Sequence, residues 1–306
     1  MNSIEIVATG KYVPSTIVSN NELEKNNNLD DGYIYKRTGI ENRHYIENET
    51  LEDIAILSVK DMLSKNDNVN IDNIGLIITA STTFDNIMPS LSFSIQNYFN
   101  IKDCMCLDVL AGCSGFINAL DIAQKYVSSS QIEYALIVGA EVLSKNNYKS
   151  INDEMLFGDG AGCILIKSCK QEKMYFSCIE SMGENNNILT CDDKHNLYMD
   201  GKNVYKFATT KTVENINRIL KLANLNSQDV DFTIPHQSNV RILDKIASKT
   251  GVKMYSNIRQ YANTFCASIP IAIDDLFYSN KIKSKDKILL LGYGGGLNLG
   301  SILMEV

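Results

Sequence analysis

Two stretches of this chain read almost as copies of each other. Cys113-Ser-Gly-Phe-Ile-Asn-Ala-Leu-Asp resembles Cys266-Ala-Ser-Ile-Pro-Ile-Ala-Ile-Asp, and ALIVGA at 135–140 resembles ILLLGY at 288–293, both at one offset of 153 residues. Glycine leads a late apolar run in each half, at Gly162-Cys-Ile-Leu-Ile and Gly300-Ser-Ile-Leu-Met. The simplest account is a duplicated unit, with an N-terminal half at 1–168 and a C-terminal half at 169–306. Apolar runs at 74–81, 105–112, 134–142, 162–168, 230–237 and 287–296 alternate with helical patterns, which implies a layered α/β fold. These runs show little period-two alternation, as expected for sheets covered by helices on both faces. In such a fold a site is expected where the halves meet and strand ends converge.

The composition, 44% hydrophobic and 21% charged, is that of a chain able to bury a large core. Neither an export signal nor a membrane-spanning stretch is expected. The eight cysteines are scattered through apolar segments of a chain too large to need staples, which suits reduced thiols and a cytoplasmic setting. A net charge of -7 argues against a nucleic-acid binder working through overall positive potential.

Few residues offer chemistry. The chain has three histidines, His44, His195 and His236, and only His236 stands at the end of a strand, in VDFTIPHQ. Alone, that histidine is as well explained by a satisfied place in the core. Cys113 follows a strand and small residues and opens an amphipathic helix, so unpaired amides and the helix dipole are expected to favour its thiolate. Asn263, in QYANTFCASIP, precedes the repeat counterpart of that helix, where a capping role is the plain alternative. The glycines of GYGGGLNLG (292–300) can bring a backbone amide to a developing oxyanion or simply make a tight turn. GDGAG (158–162) leads into a strand and so lacks the helix start a phosphate cradle needs. Cys191 and His195 form one isolated pair, and no metal site is expected.

Taken together, the segments ATGKYVPS, YIYKRTGIENRH, DVLAGCSGF, FGDGAG, IPHQSNVR, ANT..ASIP and GYGGGLNLGS resemble β-ketoacyl-acyl-carrier-protein synthase III, nearly end to end and in order. The resemblance implies a thiolase-like fold, duplicated α/β halves in a five-layered αβαβα arrangement. It also implies an acyltransferase of fatty-acid biosynthesis that condenses an acyl thioester with malonyl-acyl carrier protein, losing carbon dioxide. By the same resemblance Cys113 is the nucleophile, His236 and Asn263 are its partners, and the amides of Cys113 and Gly296 form the oxyanion hole. Tyr33, Arg37, Met88, Phe157, Asn239 and Phe265 fall at the substrate. Lys206, Arg241, Lys245 and Lys249 fall at a rim that docks the acidic carrier protein, and a homodimer is implied. No tightly bound cofactor is implied; coenzyme A thioester is a substrate.

The chain departs from the family where coenzyme A is gripped. It has no tryptophan, so Tyr33 stands where the adenine would stack, and SKNNYKSINDEML lacks the partner arginine. Phe265 and Cys266 replace a small pair and Ala262 a glycine, which points to a specialised member and leaves a carrier-bound donor open. The rival readings are an acyltransferase on the same fold that serves an oxygen or nitrogen nucleophile without decarboxylation, a papain-like hydrolase, and a non-catalytic partner subunit. The setting of Cys113 and its retained thiol weigh against the last two.

Overall fold

The computed structural model describes residues 3–148, 150–192 and 194–306. Its first sheet contains β1 (Ser3–Tyr12), β2 (Ile74–Ala80), β3 (Met105–Val109), β4 (Tyr134–Glu141) and β5 (Gly160–Cys169), in the order β1-β5-β4-β2-β3. Its second contains β6 (Tyr175–Ser181), β7 (Phe232–Pro235), β8 (Lys287–Gly294) and β9 (Asn298–Glu305), in the order β6-β9-β8-β7. The pairing repeats as well as the order. β4 lies parallel to β2 and antiparallel to β5, as β8 lies parallel to β7 and antiparallel to β9.

Between the sheets lie α1 (Gly115–Ser128) and α2 (Ser268–Tyr278), the helices that follow the two repeated cysteines. Phe116, Leu120, Ile269 and Ile273 pack there against Ile78 and Ile137 of one sheet and Ile288 and Ile302 of the other. The helix Leu51–Lys65, opened by a capping box between Thr50 and Asp53, covers the far face of the first sheet through Ile54, Val59 and Met62. The helices Gly201–Ala223 and Val240–Thr250 cover the far face of the second through Ile216, Ile219 and Ile246. Helix, sheet, helix, sheet and helix make five layers. Every inner strand is sandwiched, which is why its residues are apolar on both faces.

Two glycines permit the close approach of the middle layer. A Cβ on Gly139 would lie 2.9 Å from the Cys266 carbonyl oxygen, and one on its repeat counterpart Gly292 would lie 2.9 Å from Ser114 Cα. The turns carrying both cysteines thus sit directly on the opposing strands. Among the described residues, no helix is long and apolar enough to cross a membrane.

Candidate active site

Cys113 occupies a 3-10 turn, Gly112–Ser114, between β3 and α1. Gly112 has φ 54, a left-handed conformation that glycine adopts without strain and that turns the chain into the helix. The helix start has no side-chain cap, so its first amides remain free for other acceptors. Cys113 is buried at 3% exposure. Burial pushes its thiol up, as does the negative charge of Glu141, while the Gly295 backbone and its own amide pull the other way. Desolvation therefore outweighs the helix dipole, contrary to the expected thiolate.

The backbone in contact with the Cys113 sulfur is that of Gly295, not Gly296. β8 ends at Gly294, whose Cα packs so tightly that a Cβ there would lie 2.7 Å from the sulfur. The next backbone group, that of Gly295, is the one that meets the thiol.

His236 follows β7 directly. Its amide donates to the Leu291 carbonyl (2.7 Å), which ties it to β8, and its ring meets Tyr293 edge-on with centroids 5.5 Å apart. Burial lowers the imidazole to about 3, only partly offset by the Phe265 backbone, so the ring is neutral at physiological pH. Its Nδ1 has no hydrogen-bond partner among the described residues.

Asn263 is held by its backbone, which donates to the Leu156 carbonyl (3.0 Å) and accepts from the Gly158 amide (3.0 Å). Its Oδ1 accepts from the Phe265 amide at 2.9 Å. With that oxygen committed, the carboxamide offers its NH2 as donor.

Cys113, His236 and Asn263 line a single cavity of about 310 Å³, together with Phe157, Phe265 and Tyr293. Arg37, Asn239 and Arg241 also line it, which puts cations beside the thiol chamber. Phe157 stacks on Tyr148 and meets Phe265 edge-on, with centroids 5.5 and 5.2 Å apart. A second cavity of about 630 Å³ shares Cys113, Leu189 and Phe265 with the first. The sulfur thus stands between two chambers.

Other expected residues lie elsewhere. Tyr33 does not line the cavity. Its ring lies beneath the Arg37 guanidinium, 3.6 Å from the centroid, and its hydroxyl donates to Asn152 Oδ1. Met88 is 85% exposed and lines neither chamber; its neighbour Ile87 lines the larger one. Lys206 and Lys245 are exposed. Arg241 donates to the Lys36 carbonyl (2.8 Å) and Lys249 to the Thr209 carbonyl (2.7 Å), so neither is neutralised there by a carboxylate. Cys191 and His195 line the larger chamber, and among the described residues no group of three metal-ligating side chains gathers. Sequence reasoning passed over Glu141. Only its place at the end of an otherwise apolar strand marked it out.

Duplicated α/β layers, with a cysteine at one inner helix start sharing a cavity with a neutral imidazole and a carboxamide, define a thiolase-fold condensing enzyme. The description "3-Oxoacyl-[acyl-carrier-protein (ACP)] synthase III" matches residues 107–183, and its C-terminal counterpart matches residues 220–306. Proteins named beta-ketoacyl-[acyl-carrier-protein] synthase III from Clostridium novyi and from a Wolbachia of Culex pipiens are 35% and 36% identical to this chain. The alignments cover 100% of this chain and 99% and 100% of theirs. The crystal structure of 3-oxoacyl-[acyl-carrier-protein] synthase III from Aquifex aeolicus superposes with a TM-score of 0.95 at 32% identity, covering 99% of this chain and 100% of that one. The chain belongs to the β-ketoacyl-acyl-carrier-protein synthase III family.

Proposed function

We propose that this condensing enzyme is an acyltransferase in which Cys113 takes an acyl group from a thioester and passes it to the carbanion left when malonyl-acyl carrier protein loses carbon dioxide. The observation that carries this reading is the meeting of Cys113, His236 and Asn263 on one cavity. The Cys113 thiol, raised by burial, attacks the donor thioester as its proton passes to the departing thiolate, so the carrier thiol leaves protonated and the acyl group stays on sulfur. The amides of Cys113 and Gly295 hold the oxyanion of the tetrahedral intermediate. In the second half-reaction His236 and the Asn263 NH2 donate to the malonyl thioester carbonyl. They stabilise the enolate formed as the carboxylate departs, a charge absent from the ground state.

The donor reaches the thiol as a coenzyme A thioester, with Arg37 at the mouth to meet its phosphates. Arg37 covers one face of Tyr33, which leaves the adenine the opposite face of a smaller ring than tryptophan, and a carrier-bound donor needs no such stack. Carrier protein docks on Lys206, Arg241, Lys245 and Lys249. Met88, together with Ile87 (92% exposed) and Leu110 (74% exposed), lies in the face that pairs two copies, closing the larger chamber. The halves 1–168 and 169–306 supply the nucleophile and its two partners respectively, and the enzyme works in the cytoplasm.

The test is intact-protein mass spectrometry with acyl donors, coupled to carbon dioxide release from labelled malonyl-acyl carrier protein. Cys113→Ala is expected to lose the acyl adduct. His236→Ala is expected to keep the adduct and lose condensation by roughly 100- to 1,000-fold. An adduct that persists in Cys113→Ala sinks the assignment.

A further inference from the structure

The two chambers that meet at Cys113 differ in chemistry. Arg37 and Arg241 line the smaller one. The larger has Ile87, Leu110 and Leu197 on its walls together with Asp85 and Asp192, and no lysine or arginine among the described residues that line it. The anionic arm of a thioester donor therefore lies in the smaller chamber and its acyl chain in the larger. With the thioester carbon at the sulfur, the first carbons of the chain sit where the chambers adjoin.

Besides Cys113, the residues common to both chambers are Leu189 and Phe265. Cys113 and Phe265 belong to one buried apolar cluster, and Leu189 packs against it. Leu189 also lies on the glycine turn at the sulfur: a Cβ on Gly295 would stand 3.6 Å from Leu189 Cγ, and the Gly295 backbone meets the Cys113 thiol. Phe265 is held from two sides. Its ring meets Phe157 edge-on, and Phe157 stacks on Tyr148, with centroids 5.2 and 5.5 Å apart. Its amide donates to Asn263 Oδ1 at 2.9 Å, and the next residue, Cys266, donates its thiol proton to the Ala80 carbonyl at 3.1 Å. A ring so backed does not give way to an added methyl group.

We infer that Phe265, together with Leu189, forms a neck at the sulfur that passes a straight acyl chain and rejects one branched at the carbon next to the thioester. The inference rests on the reading of Cys113 as the acylated residue. The selection acts on shape at the branch and not on chain volume, because a chamber of about 630 Å³ lies beyond the neck.

The test offers acetyl, butyryl and isobutyryl thioesters in separate reactions, on coenzyme A and on carrier protein, and follows the mass added to Cys113 with time. Butyryl is expected to label about tenfold faster than its isomer isobutyryl in the wild-type protein. Phe265→Ala is expected to bring that ratio near one by raising the isobutyryl rate, and Leu189→Ala to lower it in part. A general loss of structure slows both isomers and leaves the ratio where it was, so the ratio reports the neck. Equal labelling by the two isomers, or faster labelling by isobutyryl, overturns the inference and leaves the proposed function standing. So does labelling by acetyl alone, since no chain then enters the larger chamber. A butyryl preference unchanged in both variants also overturns it, and if Phe265→Ala does not fold, an unchanged ratio in Leu189→Ala is enough. If no donor labels Cys113, the proposed function itself falls and the inference with it.

Discussion

Cys113 and Glu141 share one desolvated space, and their ionisations are coupled. Thr82, Thr83 and Cys266 all donate to the Glu141 carboxylate, which favours its charge. Burial nevertheless raises it to about 7, so it titrates near neutrality. Its charge disfavours the Cys113 thiolate. Glu141→Gln keeps the shape and removes the charge, and alkylation of Cys113 by iodoacetamide followed against pH is expected to show its midpoint moved down. An unchanged midpoint would mean that the carboxylate is not felt at the sulfur. His236 carries a second expectation. Its folded value near 3 lies below the unfolded value of about 6.5, so as pH falls through this window the unfolded chain binds a proton that the native state refuses. The stability tied to neutral His236 is complete above about pH 6.5 and drains away toward pH 3. Denaturant midpoints measured across that range should fall more steeply in the wild-type protein than in His236→Gln.

The segment carrying Asn263 is the most strained element near the site. Ala262 has φ 58 and ψ -157, and Phe265 has φ 44, so the asparagine is flanked by two non-glycine residues in conformations that favour glycine. Such conformations cost on the order of 1–3 kcal/mol each and persist only where the surroundings hold them. Ala262→Gly is expected to stabilise the protein by roughly 1 kcal/mol, read as a higher denaturation midpoint without loss of activity. The converse holds where β8 meets the nucleophile turn. Gly294→Ala would drive a Cβ onto the Cys113 sulfur, and the acyl adduct is expected to fail even where circular dichroism shows the fold retained.

At the scale of the whole molecule, the net charge of -7 hides a cationic face beside the cavity. Lys245→Glu is expected to raise KM for carrier-protein substrates several-fold at low salt and less at high salt, with kcat and the acyl adduct on Cys113 unchanged. Local pattern made much of this architecture legible beforehand. The two-sided apolar runs become β2, β4, β7 and β8, and the repeated cysteine segments become the turns ahead of α1 and α2. The resemblance carried by DVLAGCSGF and IPHQSNVR pointed to a cysteine and a histidine that do line one cavity. Which of three consecutive glycines would meet the Cys113 sulfur could not be told by sequence, because they carry no side chains to mark which amide turns inward. The resemblance put Tyr33 where the adenine would stack, and only the fold shows that Arg37, one helical turn later, lies over its ring.

By itself, then, the sequence determined the order of strands and helices, the duplication and the candidate nucleophile. Those depend on residue type and periodicity along the chain. Tertiary structure alone decided that the Cys113 thiol is raised, that the His236 ring is neutral and that the Asn263 NH2 is left to donate. Each of these is a matter of which atoms and how little water surround a group, and the groups that exclude the water come from segments more than a hundred residues apart, such as Cys113 and Gly295.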